Sequence, residues 1–448
     1  MESIKVISIT NAELIIARTR EKKALQSPID SCLWKNKINC CSLVPIFSYF
    51  SDLHTKSDLR NIIHSVKAGI ALVLVSLLFL VKPLHDRAGD DPVWAIMTVV
   101  VLFEFYAGGT LGKGFNRALG TLLGGGLGYS SAILAQYMGG IANFMIVGVS
   151  IFIFGSIATY FRTVPRIKKR YDYGCMIFIM TFSLVVVSGV RVADKNNVWN
   201  TAKQRLFTIL VGLFIGICVS LFIFPLWASD ELHHSTASRF LNLANTVQGC
   251  LEEYTKSNNK KESRPPAGFA ACKAILTSKS KDELLANFAK WEPWHGKFGF
   301  SHPWEKYLKI GEVLRELAVY IIAVGSCLQA SEQAMESLRQ SKWVHIEPCE
   351  AVGSRIVWTL RELGDSMKQM RKCETEGSML AKLKAARAEL NLVISTSKIS
   401  KLENDEVLAI ANLVSLLLEV VEKVEELVKE VDELGDLAGF STHIWTQI

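Results

Sequence analysis

Thr110–Gly126, TLGKGFNRALGTLLGGG, places Lys113 and Arg117 at the head of an apolar, glycine-rich segment. Nearly all the long hydrophobic runs of the chain lie around it, in residues 62–228. A charged side chain at the centre of a bilayer costs roughly 2.5–3.5 kcal/mol on insertion scales, so such residues usually face a water-filled path or a partner. The stretch therefore reads as the wall of an anion pore. The expected fold is all-α: membrane helices around this segment, then a helical bundle.

Six apolar segments each approach the length that spans about 30 Å of hydrocarbon. They are 62–82, 92–108, 116–137, 141–161, 173–190 and 206–227; the second is short and the third carries Arg117 near its start. The organisation expected is a cytosolic N-terminal arm, 1–61, a six-helix transmembrane pore domain, 62–228, and a cytosolic helical domain, 229–448. The arm mixes nine Lys/Arg with six Asp/Glu and shows no cleavable leader, because Thr10, Asn11 and Glu13 interrupt its apolar run.

Lysine and arginine orient the spans. The fourth connection carries Arg162, Arg166, Lys168, Lys169 and Arg170 against Asp172, whereas the first is acidic, with Asp86, Asp90 and Asp91. Both termini are then expected in the cytosol. The connection before the last span disobeys the rule, with Arg191, Lys195, Lys203 and Arg205 on the far side. Topology does not require those cations there; attracting an anion would. Arg117, Arg205, Lys113, Lys203 and Arg191 are therefore the candidate pore residues. Lys67 and Glu104 fall at similar depth and are expected to form an intramembrane ion pair that is structural or gates the path.

Glycine recurs at four-residue spacing in Gly120, Gly124 and Gly128 and again in Gly212 and Gly216, the pattern of closely approaching membrane helices. After residue 229 the helical candidates are 230–255, 267–290, 303–331, 350–372, 376–396 and 405–434, with breaks at the polar 256–266 loop and at Pro293, Pro303 and Pro348. In the last helix Leu417, Val420, Val424, Leu427, Val431 and Leu434 repeat at spacings of three and four, a short intramolecular seam.

Several chemistries are excluded. GGTLGKG is one residue short of a phosphate loop and lacks the following Ser or Thr. The ten cysteines form no CxxC, which fits a reduced protein without a disulfide framework. Residues 291–304, WEPWHGKFGFSHPW, hold His295 and His302 without metal-ligand spacing, so Trp291, Glu292 and Pro293 read as a rigid packing corner. No catalytic constellation, cofactor motif or nucleic-acid patch emerges, and neither enzyme activity nor a cofactor is expected.

From about residue 58 onward the chain resembles the plant aluminium-activated malate transporter family. The likeness rests on DLRNIIHSVKAGIALVLVSL, WAIMTVVVLFEFYAGGTLGKGFNRALGTL, KKRYDYG at 168–174, FPLWASDELH at 224–233 and WEPWHGKFGFSHPWEKYLKIG. The family's TLxKGxNR segment matches Thr110–Arg117, and its WEP motif matches Trp291–Pro293. The resemblance implies a homodimeric anion channel in the plasma or vacuolar membrane, permeable to malate and inorganic anions. It also implies that the basic residues matching Arg117 and Arg205 line the conduction path. A secondary transporter or exporter of organic acids is the alternative activity. A membrane-anchored interaction protein without transport is a third class, distinguished by the absence of anion flux.

Overall fold

Long proline-free runs that are apolar on every side satisfy their backbone groups internally and fold as helices. The computed structural model describes residues 56–80, 93–191, 195–256, 268–299, 302–330, 346–372, 376–395 and 404–441; most of the N-terminal arm lies outside them. Among the described residues the elements are all helices, and the only bridges are the isolated pairs His295–Phe298 and Arg371–Ser441.

The apolar part comprises α1 (Lys56–Leu80), α2 (Val93–Leu102), α3 (Ala107–Met138), α4 (Gly140–Thr163), α5 (Pro165–Arg191) and α6 (Lys195–Phe222). Five of these are long and apolar enough to cross a membrane, whereas α2 is a ten-residue apolar helix. The bundle comprises α7 (Ala228–Lys256), α8 (Gly268–Leu276), α9 (Lys279–Ala289), α10 (Trp304–Ala330), α11 (Ile346–Gln369), α12 (Glu376–Ser395) and α13 (Asn404–Ala438). Residues 61–448 cohere as one unit.

Several boundaries differ from expectation: α5 starts at Pro165 rather than at 173 and α6 at Lys195 rather than at 206. α2 ends at Leu102, and the next helix starts at Ala107 rather than at residue 116, so TLGKGFNR is helical and not a connection. The short turn is held by Thr110 Oγ1, which accepts from the Glu104 amide at 3.1 Å, and by the Ala107 amide, which donates to the Leu226 carbonyl at 2.9 Å. Glycine disfavours helix by about 1 kcal/mol per residue, yet here tertiary contact overrides propensity. A Cβ on Gly108 would lie 2.2 Å from the Phe288 carbonyl oxygen, and one on Gly112 would lie 3.0 Å from the Trp291 ring. Pro165 opens α5 at the first helical position, where its missing N–H costs nothing.

α3 packs most extensively on α5, with α4 against α5, and α2 and α3 against α6. The close approach of α3 to α5 needs glycine: a Cβ on Gly120 or Gly124 would sit 2.5 Å from the Gly174 or 2.8 Å from the Phe178 carbonyl oxygen. Gly212 approaches Ala95 of α2 in the same way, at 2.6 Å from its carbonyl oxygen. α4, by contrast, exposes Phe144, Phe152 and Tyr160, as a lipid-facing helix does. In the bundle, Leu417, Val420, Val424, Leu427, Val431 and Leu434 of α13 are all buried, chiefly against α10 and α12. The expected helix at 267–290 is divided at Thr277–Ser278, where Ser278 Oγ donates to the Ile275 carbonyl at 2.7 Å.

Candidate functional site

Arg117, Thr121, Gly125 and Tyr129 follow one another at intervals of four along α3 and so share a face. That face closes, with α5 and α6, around a cavity of about 260 Å³. Lys203 and Arg205 of α6 line the same cavity, as do Trp94 of α2 and Trp199. Ile177, Thr181 and Ser188 complete the wall from α5. Three of the five expected pore cations therefore meet in one space. Along α3 the lining runs roughly 18 Å from Arg117 to Tyr129, at 1.5 Å per residue.

Arg117 is 4% exposed. Its Nη1 donates to the Tyr173 hydroxyl at 3.2 Å, while Nε has no hydrogen-bond partner among the described residues. Arg205 stacks its guanidinium 5.5 Å from the Trp94 ring centre, and Lys203 places Nζ 4.8 Å from the Trp199 ring centre. Trp199 in turn lies 5.3 Å from Tyr129. Aromatic faces hold the two cations without neutralising them. Among the described residues none of the three has a carboxylate within ion-pair distance. Such a site carries net positive charge into an otherwise apolar wall, where an anion is the fitting occupant.

The other two candidates are placed differently. Lys113 lies one turn before Arg117, outside the cavity lining, and pairs with Glu104. The side chain of Arg191, at the end of α5, lies outside the described residues. The expected Lys67–Glu104 pair is not the one formed. Lys67, 1% exposed, donates from Nζ to the carbonyls of Ser220 and Phe224, each at 3.3 Å. The last carbonyls of a helix lack intrahelical donors and form its negative end, so a buried cation at the end of α6 supplies both hydrogen bonds and charge. Glu104, in the α2–α3 turn, meets the first turns of α3 instead and takes Lys113 as its partner.

The tryptophan-rich corner joins the two halves. Glu292 is buried, and its carboxylate accepts from the Ala228 amide at 2.6 Å, the Ser229 amide at 3.2 Å and Ser229 Oγ at 2.5 Å. It caps the start of α7 from 63 residues away in sequence. His295 stacks on Trp227 with ring centres 3.9 Å apart, and its Nε2 lies 2.9 Å from Ser229 Oγ. Trp291 contacts Phe115 of α3 at 5.3 Å and receives the Arg170 guanidinium at 4.7 Å. Asn116 ties α3 to α5 by donating to the Arg170 carbonyl at 3.0 Å. The start of α3, the α6–α7 linker and the WEP corner thus form one joint. Nearby, His233 Nδ1 lies 2.9 Å from the Tyr307 hydroxyl, and burial pushes both His233 and His302 down to about 4.

Sequence reasoning missed Thr121, Tyr129, Trp94 and Trp199 as lining residues. The interval of four from Arg117 was the available signal for the first two. The capping role of Glu292 had no local signal, since its partners lie in a distant helix terminus.

A family profile described as "Aluminium activated malate transporter" matches residues 54–401. The chain is 35% identical over 389 residues to aluminum-activated malate transporter 2 of Arabidopsis thaliana, covering 86% of this chain and 76% of that protein. It is 40% identical over 322 residues to aluminum-activated malate transporter 12 of the same plant, covering 72% and 56%. Against aluminum-activated malate transporter 1 of Triticum aestivum it is 33% identical over 396 residues, covering 86% and 84%.

Proposed function

The chain belongs to the aluminium-activated malate transporter family, and from that premise we propose that it is an anion channel passing malate and inorganic anions across a plant membrane. One observation carries the reading. Arg117, Lys203 and Arg205 converge on a single cavity among helices apolar enough to span a bilayer, with no carboxylate paired to them among the described residues. Rings of Arg and Lys select anions in pores. The planar guanidinium fork suits carboxylates, and a few cations in a wet path bind weakly enough to release the ion.

The working molecule is a homodimer in the plasma or vacuolar membrane with both termini cytosolic. Residues 62–228 form its pore domain and 229–448 its cytosolic domain. Lys113, paired with Glu104, contributes potential at the inner mouth. The test is reconstitution of the purified chain in liposomes with malate, nitrate and chloride. Large currents that do not require counter-transport support a channel. Saturating exchange strictly coupled to a second solute would make the protein a carrier, and absence of any anion flux would refute transport.

A further inference from the structure

Helical threonines commonly donate back to the carbonyl three or four residues earlier. In this chain Thr98 does so to Trp94 at 2.6 Å, Thr159 to Gly155 at 2.8 Å, Thr208 to Arg205 at 2.9 Å and Thr236 to Leu232 at 2.8 Å. Thr121 does not. It is 6% exposed, and its hydroxyl has no hydrogen-bond partner among the described residues. One turn earlier on the same face, Arg117 Nε is orphaned in the same way. Both residues line the cavity, whose wall otherwise combines apolar side chains with Lys203, Arg205, Tyr129, Thr181 and Ser188. A buried polar atom without a partner is costly. The two residues sit at adjacent turns of one helix and line one cavity, so a single acceptor there is placed to serve both.

We propose that Thr121 is a specificity-determining residue of the conduction path, forming with Arg117 a two-donor station for one carboxylate or similar oxoanion. This rests on the reading of the cavity as the anion path. The argument is one of acceptor geometry. A carboxylate presents two oxygens, each requiring donors when it leaves water. The guanidinium serves one and the Thr121 hydroxyl the other. A halide is a single spherical acceptor, which the guanidinium alone can hold. Loss of the hydroxyl therefore leaves that carboxylate oxygen without its donor, while a halide loses little.

The experiment is a bi-ionic patch-clamp measurement of the malate-to-chloride permeability ratio on the full chain. The variants are Thr121→Val, which keeps the shape and removes the hydroxyl, and Thr121→Ser, which keeps the hydroxyl. The ratio is expected to fall about tenfold in the valine variant, the scale of one hydrogen bond to a charged group, and to stay near the parent value in the serine variant. An unchanged ratio in Thr121→Val overturns the proposal, as does an equal fall in both variants. If the valine variant passes neither anion, the ratio is read from Thr121→Ala on the same terms. Arg117→Ala and Arg205→Ala in the same assay separate the two layers. If both conduct like the parent, the path itself is misassigned. If both are impaired while Thr121→Val keeps its ratio, only the role of Thr121 falls.

Discussion

Glu292 shows how one side chain can hold two halves of a protein together. Its carboxylate meets the free amides that start α7, while its own stem abuts Gly108 at the start of α3. Glu292→Ala should strip the charged cap and leave buried donors unmet, at about 2–4 kcal/mol. Thermal unfolding of the purified full-length chain measures this; an unchanged midpoint would contradict the capping role. His233 and His302 make a second residue-scale prediction. Both are held near 4 by burial, below the 6.5 of an unfolded histidine. Between those values the unfolded chain binds more protons than the folded one. Their contribution is complete above pH 6.5 and is lost as pH falls towards 4. The slope is up to about 1.4 kcal/mol per pH unit for His233 and less for the more exposed His302. Denaturant unfolding at stepped pH reads it, and replacing His233 with Gln should flatten the slope in that window. A slope identical to that of the parent would refute it.

At the scale of elements, α3 does two things on two faces. Gly120, Gly124 and Gly128 seat it against the backbone of α5, while Arg117, Thr121, Gly125 and Tyr129 face the cavity. Gly124→Leu would place its first side-chain atom 2.8 Å from the Phe178 carbonyl oxygen, so overpacking should cost about 1–3 kcal/mol or more and reduce recovery of folded protein. Gly148→Leu, on α4 where a Cβ meets nothing within 4 Å, is the matched control. Size-exclusion profiles of both decide it, and equal yields would contradict the close packing. α13 contributes a buried stripe from Val414 to Leu434 to the bundle core. Truncation after residue 403 should therefore expose the facing apolar surfaces of α10 and α12 and cause aggregation. A monodisperse, fully conducting truncation would refute this.

For the whole molecule, what could be read in the sequence followed what repeats. Apolar length announced the membrane helices, and the three-and-four spacing of Leu417, Val420 and Val424 announced the seam that the bundle buries. Arg117, Lys203 and Arg205 stood out because their positions were costly, and the fold brings them to one cavity. Partners set by long-range packing were not legible. Lys67 and Glu104 matched in depth, yet depth does not fix azimuth. Lys67 turns to the α6 carbonyls, and Glu104 meets Lys113 across a turn that hydropathy had assigned to a longer helix. Gly108, Gly109 and Gly112 disfavour a helix start locally, and only their contact with Phe288 and Trp291 reveals why one forms there.

The central claim is that anions pass along the Arg117, Lys203 and Arg205 wall. Two unit charges 4 Å apart interact by about 4 kcal/mol at an effective dielectric of 20, and about 1.4 kcal/mol is a factor of ten. The most direct measurement is therefore macroscopic malate current from Arg117→Ala and Arg205→Ala at matched membrane abundance. The account predicts a loss of about tenfold or more in each. Parental current with parental selectivity in both variants would contradict it.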